Sequence, residues 1–278
     1  MTLTNLQKRI LVSAIYFPAL LLSANDARVF SLLMTLALGA CWHEYLSFRA
    51  KPTNQDEWIQ HGLKILLGVL PTLFIGIGLG FELAIGTIAL VLQIHIIRSL
   101  AAKKTFHTII SSLSFSLVGF VYLTGLFSLL SLIQMRSSGR EAIWFLFFVV
   151  ALTDTAAYFW GKQFGRTPFF QNISPSKTKE GFWAGMAGAM IVGIIFKLVF
   201  SHFDFMTPNF FWCLVLAAAL GFASVFGDLF ESMLKRTYGV KDSGTLLPGH
   251  GGVLDRLDGV LFAAVPLFFF MALRGGFR

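Results

Sequence analysis

AIWFLFFVVALTDTAAYFW, Ala142–Trp160, is the stretch that decides the fold. It carries one charge, Asp154, and neither Pro nor Gly. Coiled as a helix, a run of this length reaches about 28 Å, close to the hydrocarbon thickness of a bilayer. Backbone polar groups find no water there, so a spanning segment must satisfy them within itself, as a helix does. An acid inside such a span is costly, which makes Asp154 a functional candidate from the start.

Comparable apolar runs lie on both sides, at Ile10–Ser23, Val29–Phe48, Ile65–Leu79, Phe81–Ile97, Thr108–Leu132, Phe182–Phe200, Asn209–Asp228 and Val260–Leu273. Together they predict an all-α, polytopic membrane protein with about nine transmembrane helices. Composition agrees. Of 278 residues, 56% are hydrophobic and 13% charged, and mean hydropathy is +0.73. Soluble domains carry about 25% charged residues, so a soluble fold is excluded. The two cysteines, Cys41 and Cys213, sit in apolar runs and form neither a disulfide framework nor zinc-ligand spacing.

Net charge is +8. In a membrane protein this points to anionic lipids and phosphorylated substrates, with no nucleic-acid partner. Sixteen Lys and Arg fall on the side that holds the N-terminus and six on the other. The rich side faces the cytoplasm, so the N-terminus is expected there. Lys8 and Arg9 precede an apolar run that reads as a retained first helix rather than a cleaved leader. We expect residues 1–140 to form an N-terminal set of spans and residues 141–278 a catalytic region. That region has two long polar loops, Gly161–Gly181 and Leu229–Gly259, both cytoplasmic.

The second loop with its left flank reads GDLFESMLKRTYGVKDSGTLLPGHGGVLDRLDG, Gly227–Gly259. Asp228 is expected to end one apolar helix, with Asp255 and Asp258 opening the next. Three residues apart, these two acids share one helix face. Carboxylates converging in a low dielectric repel one another unless a cation neutralises them, and oxygen-only ligands favour a hard ion, Mg2+ first. Lys235, Arg236, Lys241, Arg256 and His250 supply the opposite charge. Gly249, Gly251 and Gly252 let backbone N–H groups approach an anion closely. Acids for a metal, bases for an anion and bare backbone describe a phosphate–metal site. A solvated loop of mutually paired charges is the plainer reading, and the glycine density and mixed signs between helix ends argue against it.

The first loop reads TDTAAYFWGKQFGRTPFFQNISPSKTKEG, Thr153–Gly181. Lys177-Thr178 looks like the tail of a P-loop, but no glycine precedes it at the required spacing, so that reading fails. Phosphate contact by Ser174, Lys177 and Thr178 remains the expectation. His43 and Glu44 read as an interfacial polar pair. His95 and His107, around a loop with Arg98, Lys103 and Lys104, read as interfacial anchors.

The segment SMLKRTYGVKDSGTLLPGHGGVLDRLD, Ser232–Asp258, resembles the signature of the phosphatidate cytidylyltransferase (CDP-diacylglycerol synthase) family. Its fixed positions are Ser232, Lys235-Arg236, Lys241-Asp242, His250-Gly251-Gly252 and Asp255-Arg256-x-Asp258. SPSKTKEG and DTAAYFWGKQFG are similar to further family motifs. The resemblance covers about the C-terminal half. It implies a multi-span inner-membrane enzyme with its active site facing the cytoplasm. CTP and phosphatidic acid would give CDP-diacylglycerol and pyrophosphate. It implies a homodimer that depends on Mg2+, with a second ion such as K+. Asp228, Asp255 and Asp258 would be the metal acids. Lys235, Arg236, Lys241, His250 and Arg256 would meet phosphates, with Ser232, Gly251, Gly252 and Asp154 beside the substrates. Another CTP-dependent lipid transferase or kinase is the enzymatic alternative. A cation-coupled transporter is the non-enzymatic one, although no paired repeats are visible.

Overall fold

A computed structural model describes residues 16–49, 51–101, 105–199, 209–247 and 251–275. They form α1, described over residues 16–23, then α2 (Ala27–Arg49), α3 (Gln55–Gly76), α4 (Phe81–Ala101), α5 (Phe106–Gly119) and α6 (Leu126–Gln134). There follow α7 (Gly139–Phe164), α8 (Lys179–Val199), α9 (Phe210–Thr237) and α10 (Leu254–Gly275). A π-helical turn, Phe120–Gly125, joins α5 to α6 without breaking the rod. No β-strand occurs among the described residues, only isolated bridges pairing Pro168 with Thr178 and Leu247 with Gly251.

Seven helices among the described residues are long and apolar enough to cross a membrane, with α5 and α6 counted as one rod. This is an all-helical integral membrane protein. The count differs from nine at two places. The run Ile10–Ser23 is described only from residue 16, and α4 is a 21-residue helix that is not among the seven.

Three helix boundaries extend six or more residues past the apolar runs, for one reason: helical periodicity continues where hydropathy stops. α3 starts at Gln55, ten residues before the expected Ile65, with a polar first turn; Asn54 caps it by accepting from the Glu57 N–H at 2.9 Å. α9 does not end at Asp228 but runs on to Thr237. Asp228, Glu231, Ser232 and Lys235 recur at helical spacing and turn their face inward. α10 begins at Leu254, ahead of the apolar run at Val260, so Asp255 lies in its first turn as expected.

Helices in lipid gain little from hydrophobic burial against one another, so close approach of small residues holds them together. α7 and α8 pack most extensively. A Cβ on Gly181 would stand 2.8 Å from the Ala157 carbonyl oxygen, and one on Gly185 3.0 Å from that of Thr153. α9 and α10 cross more tightly still. A Cβ on Gly227 would stand 2.5 Å from the Asp258 carbonyl oxygen, and one on Gly259 2.7 Å from the Ser224 hydroxyl. That crossing carries Asp228 and Asp258 to the same place.

Candidate active site

α7, α8, α9 and α10 enclose a cavity of about 620 Å³. Its charged lining among the described residues is Asp154 and Lys162 from α7, Lys177 before α8, Asp228, Glu231 and Lys235 from α9, and Asp242, Asp255, Arg256 and Asp258 around the start of α10. Thr178 lines it too. Six acids thus face four bases.

Lys235 stands at the centre. Its Nζ donates to Glu231 Oε2 at 2.5 Å and to Asp255 Oδ1 at 2.6 Å. Both carboxylates are nearly sealed from solvent. A buried ammonium between two carboxylates is held in one position, because each partner would be left as an uncompensated charge without it. Asp255 takes four further donations. Ser243 N reaches both its oxygens, at 3.3 and 3.0 Å; Ser243 Oγ donates at 2.9 Å and Gly252 N at 2.8 Å.

The loop before α10 is anchored from the other half of the chain. Glu44, on α2 and buried, accepts from Val253 N and Leu254 N, both at 2.9 Å, and from Ser243 Oγ at 3.0 Å. It caps the N-terminus of α10, where free N–H groups and the helix dipole favour an anion. A Cβ on Gly252 would come within 1.9 Å of Ser243 Oγ and 2.5 Å of Glu44 Oε2, so only glycine fits there. Gly251 adopts φ +88°, a left-handed turn that glycine makes without strain.

Lys177 approaches from the first loop and pairs with Asp228 at 2.7 Å. The loop is locked behind it. Glu180 accepts from Arg166 N, Thr167 N and Thr167 Oγ1, and Phe169 N donates to the Lys177 carbonyl at 2.8 Å. Thr178 Oγ1 accepts from Gly181 N at 3.1 Å and so starts α8. Ser232 Oγ donates to Asp228 Oδ1 at 3.3 Å. Asp258 is buried, with Oδ1 accepting from Gly259 N at 2.7 Å.

The structure therefore gathers Asp154, Lys177, Thr178, Asp228, Lys235, Asp255, Arg256 and Asp258 at one cavity. Ser174, Arg236, Lys241, Ser232, Gly251 and Gly252 are not among its lining residues. Arg236 donates to the Val240 carbonyl at 3.3 Å, Lys241 is exposed, and Gly252 spends its N–H on Asp255. Ser174 sits in the turn that leads to Lys177, whose N–H donates to the Ser174 carbonyl at 3.2 Å. His250 lies outside the described residues. Glu231 and Glu44 were not foreseen. Glu231 stands four residues before Lys235, a spacing that could have flagged it. In the sequence Glu44 resembles any interfacial polar group, because its partners lie some 200 positions along the chain, where no local pattern points.

A family model matches residues 7–274, nearly the whole chain, and its description is the cytidylyltransferase family. This chain belongs to that family. Among its relatives is the phosphatidate cytidylyltransferase of Thermotoga maritima, 36% identical over 218 residues, which span 77% of this chain and 78% of the relative. Those of Bacillus subtilis and Helicobacter pylori are 37% identical over 169 residues and 43% over 150. These two alignments take in 59% and 54% of this chain, and 61% and 51% of the relatives' own length.

The donor set suits a hard cation, since the acids offer only oxygen. Among the described residues, however, no three Asp, Glu, His or Cys side chains stand close enough to hold one ion between them. Magnesium does not require that. It is commonly held by one or two carboxylates, several waters and substrate phosphates.

Proposed function

We propose that this protein transfers the cytidylyl group of CTP to phosphatidic acid, giving CDP-diacylglycerol and pyrophosphate. The relatives carry that activity in their name. The observation that carries it to this chain is the cavity where Lys177, Lys235 and Arg256 meet an excess of carboxylates at converging helix ends. In this reading the cavity faces the cytoplasm of a bacterial-type inner membrane and the N-terminus lies on that side. Lysine and arginine distribution supports both.

An oxygen of the phosphatidate monoester attacks the α-phosphorus of CTP. The new O–P bond forms as the bond to the β-phosphate oxygen breaks, and pyrophosphate leaves. A phosphate monoester loses its second proton at about pH 6, so the nucleophile is already a dianion and needs no strong base. The obstacle is charge. Two polyanions must enter a cavity whose own lining holds six acids and four bases. Lys177 and Arg256 orient phosphates from two sides, while Thr178 offers a hydroxyl. Lys235, fixed by Glu231 and Asp255, presents a cation whose place does not depend on substrate. Asp154 sits where α7 meets the cavity and restricts the approach of anions to the far side.

Asp228 and Asp258 would hold magnesium together with substrate phosphate oxygens, and a monovalent ion such as K+ belongs to the same proposal. The metal would supply the positive charge that neutralises the leaving pyrophosphate. Asp255 lines the same cavity and serves mainly to fix Lys235, Ser243 and Gly252, given the donors that already surround it. We also propose a homodimer in membrane lipid, from the family resemblance alone.

The test is the fate of label. With purified protein, phosphatidate and magnesium, phosphorus label from the α-position of CTP should move into the chloroform phase as CDP-diacylglycerol. Label from the γ-position should stay in water. The reverse pattern would make the protein a CTP-dependent lipid kinase and refute the proposal.

A further inference from the structure

A second cavity, of about 210 Å³, lies on the other side of α2 from the active site. α2 turns Glu44 toward α10 and turns Trp42 and Leu46 into this second space. α3, α4 and α5 complete the wall. Its polar part includes Lys64, His95, Arg98 and Ser116, and its apolar part includes Leu67, Val91, Ile94 and Phe120. Among the described residues its lining contains two cations and no carboxylate. The catalytic cavity has the opposite balance.

The polar part lies at one end of the bundle. Arg98 is in the last turn of α4, and Thr108 and Ile109 line the cavity from the first turn of α5. Glu44, near the end of α2, bonds the first residue of α10, so this is also the end at which the catalytic cavity sits. Ser116 Oγ and His95 Nε2 are 3.0 Å apart and brace α5 on α4. Trp42 is fixed below them. Its Nε1 donates to Thr124 Oγ1 at 3.0 Å, and a Cβ on Gly68 would collide with its ring. Leu63 and Ile94 line the cavity and remain exposed, and Leu66 and Ile97 extend that apolar surface along α3 and α4.

Lys64 and Arg98 are both exposed, with Arg98 in the last turn of α4, and basic side chains that reach the membrane interface attract anionic headgroups. A cationic end joined to an apolar floor that continues onto the outer helix surface matches a molecule with a phosphate head and a hydrocarbon tail. We infer that this cavity binds the phosphate headgroup of an anionic membrane phospholipid through Lys64 and Arg98. The first part of an acyl chain lies against Leu67, Val91 and Ile94, at a site separate from the catalytic cavity. The chemistry is shared by a lipid headgroup and a free organic phosphate; the apolar floor favours the lipid.

The experiment uses the full chain in phosphatidylcholine nanodiscs titrated with phosphatidylglycerol, with bound lipid counted by native mass spectrometry. One phosphatidylglycerol should be retained in preference to phosphatidylcholine. The double variant Lys64→Gln/Arg98→Gln should weaken retention about thirtyfold, at the usual strength of a cation near an anionic headgroup. Ile94→Trp keeps both cations but fills the floor, and should also lose the lipid while thermal unfolding stays unchanged. This second variant decides the matter if the double variant fails to fold. Asp228→Asn, in the other cavity, should leave retention unchanged. Equal retention by wild type, the double variant and Ile94→Trp would overturn the inference. So would loss in Asp228→Asn alone, which would place the lipid in the catalytic cavity. Displacement by glycerol 3-phosphate as readily as by phosphatidylglycerol would also overturn it, by assigning the site to free phosphates.

Discussion

Replacing Glu44 by alanine probes the link between the two halves of the chain. The carboxylate accepts three hydrogen bonds in a buried setting, from Val253 N, Leu254 N and Ser243 Oγ. A hydrogen bond to a charged group contributes roughly 1.5–3 kcal/mol, and a buried donor left without its acceptor costs a similar amount. Water from the adjacent cavity can reach part of the loop, so the sum is discounted to about 3–5 kcal/mol. The loss propagates to the chemistry through Ser243, which shares its hydroxyl between Glu44 and Asp255. Asp255 in turn holds Lys235. A displacement of about 1 Å at a catalytic group lowers turnover on the order of a hundredfold. Glu44→Ala should therefore unfold at lower temperature in detergent and lose kcat by about that factor in a pyrophosphate-release assay. Glu44→Gln keeps one acceptor oxygen but turns an amide toward donors, and should fall between. A Glu44→Ala protein with wild-type unfolding and wild-type kcat would refute the reasoning.

Other outcomes follow from the same geometry. Lys235→Met leaves Glu231 and Asp255 as buried, unpaired acids and should cost about 3–5 kcal/mol by chemical unfolding. Adding Glu231→Leu should recover much of that stability without recovering turnover, because the fixed cation is still missing. Gly227→Ala forces a Cβ to within 2.5 Å of the Asp258 carbonyl oxygen, a backbone atom that cannot swing away. It should cost roughly 1–3 kcal/mol and, by spreading Asp228 from Asp258, raise the magnesium concentration needed for half-maximal turnover. Chelation with EDTA should abolish pyrophosphate release, and magnesium should restore it in wild type at lower concentration than in Asp228→Asn.

Periodicity and hydropathy made the spans legible, because a bilayer admits little besides helices. They misplaced the start of α3, whose polar first turns are exposed, and the end of α9, where polar residues continue a helix that faces protein rather than lipid. In α9 that continuation contains the face that lines the candidate active site, so the same residues that lowered hydropathy line the cavity. Asp154, Lys177, Lys235 and the Asp228/Asp255/Asp258 set could be named from residue type and spacing alone. What they do to one another could not. That Lys177 pairs with Asp228, or that Asp255 is ringed by Lys235, Ser243 and Gly252, depends on the Gly227–Gly259 crossing and the folded loops. Glu44 was hidden for a different reason. Beside His43 near a helix end it looks like any interfacial acid, and only the fold brings α2 to the start of α10.

The central claim is that both phosphorylated substrates and a divalent ion meet in one cavity. Pyrophosphate release by the purified protein in mixed micelles, with CTP, phosphatidic acid and magnesium each omitted in turn, tests it most directly. The account predicts release only when all three are present. Release without phosphatidic acid, or no release from folded protein under any condition, would contradict it.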